Sequence, residues 1–212
     1  MLNLPIKDID KLSDKVIDFY ESTSEYKLGF SVKWNPIFRF LGRLVNTLFS
    51  KRIHQLNIPI KNTKSSQEVN SEIITLTDYT SNKVIYTFWV RTLKSNNQII
   101  FSGIYSICTL EDGKKAVKAS FPLPKGNATV IMTPSVGENG ELILSSFGNK
   151  FGDPGFYFVL TDTKGNYWSR NHRSFKDKLV VSSNKKGLFA EHTQSLWNKT
   201  VLRFNYEIKL KN

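Results

Sequence analysis

From about residue 71 to its end the chain repeats a single pattern: short runs of alternating apolar and polar residues, separated by turns, with no helix-length period among them. The run at 201–210 is the clearest. Leu202, Phe204, Tyr206, Ile208 and Leu210 fall on one face, and Arg203, Asn205, Glu207 and Lys209 on the other. A period of two means a strand with one face buried and one wet. About ten such strands in succession must close on themselves or stack, because a flat sheet would leave long adhesive edges. The expected fold is therefore mainly β: an antiparallel meander of about ten strands forming a barrel or strongly curled sheet, with two N-terminal helices packed against it.

Turn chemistry marks the strand ends. Asp112-Gly113 reads as a hairpin centre, and further breaks fall at 80–82, 95–97, 137–140, 164–166, 184–187 and 198–200. These loops are short, so consecutive strands are expected to pair as antiparallel neighbours. Pro154-Gly155 suits the centre of a type II turn. The glycine-rich stretch 148–155 reads as a structural corner and not a phosphate loop, because a strand and not a helix follows it. Phe121-Pro122-Leu123-Pro124 cannot sit inside a central strand, since neither proline donates to a ladder; it marks an edge, a bulge or a crossing.

Residues 1–70 read as a helical prefix and linker packed on the main domain at 71–212. Ile6, Ile9, Leu12, Val16 and Phe19 recur at helical spacing. A short alternating run at 28–34 fits a lone strand. Asn35 then caps a second helix over 36–50, with Pro36 at the first position, where its missing N–H costs nothing. One half of its wheel is apolar (Ile37, Phe38, Phe40, Leu41, Leu44), which predicts packing on the barrel. The other half carries Arg39 and Arg43, followed by Lys51 and Arg52, so these four are also candidates for weak contact with an anionic membrane.

The net charge is +12, from 30 Lys and Arg against 18 Asp and Glu. Residues 1–70 hold eleven against seven and the remainder nineteen against eleven, so the excess is spread along the chain. A nucleic-acid binder more often concentrates its charge in a stripe or tail, and that partner is not favoured. Cys108 is the single cysteine, so no intramolecular disulfide forms. With no signal-peptide pattern at residues 1–15, the expectation is a cytoplasmic protein, at most peripheral to a membrane.

No catalytic, metal or cofactor motif emerges. His54, His172 and His192 lack ligand spacing. His172 and His192 lie on predicted strands separated by a strand and two turns; they could approach across the sheet, where Glu191 or Asp177 could join them, and Cys108 with His192 lacks any feature that lowers a thiol pKa. Lys118, between apolar neighbours, reads as outward-facing. The functional lead is instead a lumen. Strands apolar on both faces, as at 84–93, need cover on each, and arginines among aromatics suit a carboxylate or phosphate headgroup. The candidate ligand-binding residues are Trp89, Arg91, Tyr105, Phe158, Trp168, Arg170 and Arg173. The expected function is non-enzymatic binding of an apolar or amphipathic small molecule, a lipid-like anion. The alternatives are a protein-interaction module and, third, an unrecognised enzyme. The architecture is analogous to the single-barrel lipid carriers, a likeness of fold that assigns no function.

Overall fold

A computed structural model describes residues 4–45, 59, 62–63 and 67–211, the side chains of residues 41 and 43–45 excepted. Strands make up 59% of it, and ten of them close into an antiparallel barrel. In chain order the elements are α1 (Ile6–Ile9), α2 (Asp14–Glu21), β1 (Tyr26–Trp34), α3 (Pro36–Val45), β2 (Gln67–Thr77), β3 (Val84–Leu93), β4 (Ile99–Thr109), β5 (Lys115–Leu123) and β6 (Gly126–Val136). They continue with β7 (Leu142–Ser145), β8 (Gly155–Thr161), β9 (Tyr167–Asn171), β10 (Phe175–Asn184), β11 (Gly187–Leu196) and β12 (Lys199–Leu210).

The closed ring runs β1-β2-β3-β4-β5-β6-β7-β10-β11-β12 and back to β1. The 28–34 run is not a lone strand: β1 pairs with β12 along its whole length, from Tyr26↔Leu210 to Trp34↔Leu202, and is the stave that closes the barrel. The barrel therefore begins at Tyr26 and resumes at Gln67, which moves its boundary well back from residue 71. Residues 1–70 and 71–212 share one sheet.

Neighbour pairing fails between β7 and β8 and between β9 and β10, and β6 explains both. This strand spans eleven residues, and one of its edges serves two partners in turn. Residues 126–131 pair with β8, and 133–136 pair with β7. The β8–β9 hairpin thus leaves the ring, and β10 returns to pair with β7. Gly126 makes the branch feasible: a Cβ there would stand 2.0 Å from the Val159 carbonyl oxygen. The 148–155 stretch is a corner ahead of β8, as its composition predicts. Asp153 accepts from the Asn149 and Lys150 amides at 2.8 and 3.0 Å, and the Tyr157 hydroxyl donates to the Asp153 carbonyl at 2.6 Å. Pro122 lies where β5 has run past its last pairing with β4, at Ser120, so its missing donor interrupts no ladder.

The first predicted helix is two, α1 and α2, broken at residues 10–13. They close one end of the barrel. Val16 and Phe19 of α2 are buried against Leu28, Leu142, Val181 and Leu188 of the wall. Each such side chain contributes about 1.5–3 kcal/mol through burial. Ser13, at the start of α2, exchanges a 2.6 Å hydrogen bond with Ser183 of β10, and the Tyr26 hydroxyl donates to Asp18. Burial first, then that bond, push the Tyr26 pKa up to about 12.

At the other end α3 starts as predicted. The Asn35 side chain accepts from the Ile37 amide at 3.1 Å and donates to the Thr200 carbonyl at 3.0 Å. Gly42 faces the Trp34 indole so closely that a Cβ would sit 2.5 Å from the ring. Burial along α3 is narrower than its wheel suggested: Phe38 is buried, but Ile37 and Phe40 are exposed. Residues 46–50 and the expected contacts at Lys51 and Arg52 lie outside the described residues, as does the Arg43 side chain; Arg39 is exposed.

Candidate functional site

Strand register decides which side chains meet inside. Residues that share the inward face of Leu28 and Phe204 include Tyr206, Ser71, Trp89, Arg91, Phe101, Tyr105, Asp177, His192 and Gln194. Most of a barrel lumen of this size is filled by apolar groups. Here one sector is polar.

Arg91 stands at its centre. The guanidinium carbon lies 3.9 Å from the centre of the Trp89 ring, with the Tyr206 and Phe101 rings at 5.3 and 5.5 Å. Its Nη1 donates a long 3.4 Å hydrogen bond to the Tyr206 hydroxyl. Its Nε is buried with no hydrogen-bond partner, and among the described residues no carboxylate lies within ion-pair distance of it. Cation–π contact offsets part of the lost hydration, about 1–2 kcal/mol for a desolvated pair. An arginine inside a fold ordinarily holds a carboxylate. Gln67, on the same face of β2, likewise has its Oε1 buried without a protein partner.

Three tyrosines surround this cation. Tyr20 arrives from α2, Tyr105 from β4 and Tyr206 from β12. Burial raises the pKa of all three, Tyr105 to about 12, and the charge of Arg91 draws each back part of the way. Their hydroxyls are neutral donors at any physiological pH. Each is nonetheless only half-buried, as are Trp89, Arg91 and Phe101.

Across the lumen, Asp177 is buried and its carboxylate is already engaged. One oxygen meets His192 Nε2, and the other accepts from the Gln194 amide at 3.4 Å. The Asp177 backbone exchanges bonds with Ser146, its N–H donating to Oγ at 2.8 Å. The His192 ring tilts against Phe204, which in turn lies against Tyr206. The negative charge of Asp177 also raises the Tyr105 and Tyr206 pKa values, so both ends of the polar sector sense one another.

Of the seven ligand-binding candidates, Trp89, Arg91 and Tyr105 come together here. Phe158 packs with Phe156 and His172 at the branch of β8. Trp168 and Arg170 on β9, and Arg173 in the following turn, are exposed at the barrel mouth. His172 and His192 do not share a site: burial, and secondarily Arg170, lower the pKa of His172, while His192 belongs to Asp177. Cys108 sits on the outward face of β4, away from His192, and burial raises its thiol pKa. Lys118 is exposed, as expected. No group of three or more His, Cys, Asp or Glu suited to a metal occurs among the described residues. Sequence reading missed Tyr20, Ser71, Gln67 and Tyr206 as lumen groups. Tyr206 was legible as inward-facing, but nothing in the linear pattern shows that it meets Arg91, 115 residues away.

Two hollows of about 320 and 220 Å³ lie around Glu68 and Lys94, the second on the outer wall with Lys27, Glu207 and Lys209. Neither includes Arg91 or the lumen tyrosines. No helix among the described residues is long and apolar enough to cross a membrane.

These features define the chain as a closed antiparallel barrel with a polar, cationic sector in an aromatic lumen. Over 150 residues, 70% of its length, the chain is 29% identical to an uncharacterized membrane protein, YndJ, from Bacillus subtilis strain 168. It spans about a quarter (26%) of that relative's length. No family model matches the chain, and no solved structure matches it.

Proposed function

We propose that the barrel binds an amphipathic anion, its carboxylate or phosphate headgroup held by Arg91 and its apolar part lying along the aromatic lumen. One observation carries this reading: the lumen arginine has a buried Nε without a partner and no carboxylate to neutralise it. A ligand anion supplies the missing negative charge. The headgroup accepts from the guanidinium and from the Tyr105 and Tyr206 hydroxyls, which burial keeps protonated. Trp89 and Phe101 hold the guanidinium from its faces, and the Trp89 indole N–H is fixed by Ser71. Charge-assisted bonds of this kind contribute about 1.5–3 kcal/mol each. Asp177 does not compete for Arg91, because His192 and Gln194 engage it.

No bond is made or broken in this reading, and the Asp177–His192 pair serves to hold the far wall of the sector. The test is displacement of a fluorescent fatty acid by two competitors of equal chain length, a carboxylate and its alcohol. The carboxylate should win by about tenfold or more, one charge-assisted bond's worth. Equal competition would remove Arg91 from the site, and no displacement by either would end the binding reading. Native mass spectrometry of the purified protein then reports which anion it carries.

A further inference from the structure

The barrel has two unlike ends. By register, the end opposite α1 and α2 gathers the start of β12, the start of β10, the β8–β9 turn and the start of α3. Hydrogen bonds link several of these neighbours: Trp197 N–H donates to the Ser174 carbonyl at 2.9 Å, Lys176 Nζ to Asn198 Oδ1 at 3.0 Å, and Asn35 to Thr200 at 3.0 Å.

Large apolar side chains project from this end into solvent. Trp197 is 67% exposed, Trp168 65%, Tyr167 79%, and Phe40 71%. Nothing in the core explains them; Trp34 and Trp89 are the tryptophans turned inward. Stretches 167–176 and 195–202 together with Pro36–Val45 contain six lysines and arginines and no carboxylate. Asp162, on the adjoining turn, accepts from the Trp168 indole N–H at 3.3 Å and is otherwise engaged within that turn, with Asn166 above all holding its carboxyl down to about 2.

Exposed tryptophan and tyrosine interleaved with lysine and arginine fit one partner chemically: the headgroup region of an anionic bilayer, where amphipathic rings settle and cations meet lipid phosphates. We propose that the barrel docks on anionic lipid by this end, with Trp168, Tyr167, Trp197 and Phe40 entering the interface and Arg39, Arg170 and Arg173 facing the phosphates. This proposal does not depend on what the lumen holds. It shifts the membrane-contacting surface from the α3 helix alone, as its arginines suggested, to the whole mouth.

The test is co-sedimentation with vesicles of phosphatidylglycerol and phosphatidylcholine, against phosphatidylcholine alone, at low and high salt. The wild-type protein should bind the anionic vesicles, lose most of that binding at high salt, and show a blue-shifted tryptophan emission. W168A/W197A and R170E/R173E should each weaken binding about tenfold or more. Y79A, at the fully exposed β2–β3 turn of the opposite end, should bind like wild type. Circular dichroism of each variant establishes that it is folded. Binding that W168A/W197A and R170E/R173E leave unchanged would overturn the proposal, as would no binding to anionic vesicles. Binding to a DNA oligonucleotide without binding to vesicles would assign the basic mouth to a different polyanion and equally overturn it.

Discussion

Replacing Arg91 with methionine separates ligand binding from folding, because the two should move in opposite directions. Methionine keeps the length and apolar volume of the arginine stem and fits between Trp89, Phe101 and Tyr206 without a charge. In the unliganded protein the substitution removes a buried Nε with no partner, whose desolvation costs about 1–3 kcal/mol. It also removes the cation–π contact with Trp89, about 1–2 kcal/mol, and one long bond to Tyr206. These nearly cancel, so R91M should be within about 1 kcal/mol of wild type, or slightly more stable. In a chain of this size that corresponds to a shift of about 2–4 °C in Tm. Binding of a long-chain carboxylate should fall about tenfold or more, and binding of the matched alcohol should hold. Urea denaturation and fluorescent displacement on the same preparation measure both. Loss of more than about 3 kcal/mol with carboxylate affinity intact would mean that Arg91 is a structural cation, paired more tightly than its geometry shows.

The α2 plug should be worth a large share of the fold. Phe19→Ala deletes a ring that is 3% exposed and edge-packed on Tyr20 and Tyr26, and it should cost about 3–5 kcal/mol in urea denaturation. Five of the eight tyrosines (Tyr20, Tyr26, Tyr105, Tyr157 and Tyr206) have raised pKa values, with burial the largest cause in each. A phenol held neutral by the fold contributes stability that is complete below its unfolded pKa, about 10, and is lost as pH rises through the folded value. Stability should therefore fall between about pH 10 and 12, with the late phenolate absorbance appearing together with the loss of near-ultraviolet dichroism. If all eight tyrosines titrated below about pH 11 in the folded protein, the enclosed lumen would be ruled out.

The barrel was legible because its signal is redundant: strand after strand alternates, and no single error removes the class. Its closure was not. Nothing in 28–34 distinguishes an isolated strand from the stave that joins β12 to β2, because closure is a matter of partners far apart in the chain, 168 residues at Trp34↔Leu202 and 184 at Tyr26↔Leu210. The branch at β6 was hidden for a similar reason: the sequence shows a long strand but not that one edge holds two partners in succession. For the site, the aromatic setting of Arg91 could be read from Trp89, two positions away on the same face. The convergence of Tyr20 and Tyr206 on it depends on register and on a helix entering the barrel, neither of which has a local period. The arginines of β9 illustrate the converse. Alternation puts Arg170 on the inward face, paired with Phe158, but the β8–β9 hairpin has left the ring, so that face opens at the mouth.

The position of Tyr20 joins plug and site. α2 carries Val16 and Phe19, which seal the end of the barrel, and one residue later Tyr20, which faces Arg91. Val16, Phe19 and Tyr20 stand at i, i+3 and i+4, one apolar face of the helix about 100° wide, and the Phe19 and Tyr20 rings meet edge to face at 5.1 Å. The two roles therefore fix the rotation of α2: with Phe19 against Tyr26 and Leu28, Tyr20 has only the lumen to enter. Any slip that frees α2 from the wall withdraws a hydroxyl from the cation and unseals that end at once. The opposite end is closed independently of α2, by a second buried cluster that includes Val32, Trp34, Leu93 and Leu202 and no residue of that helix.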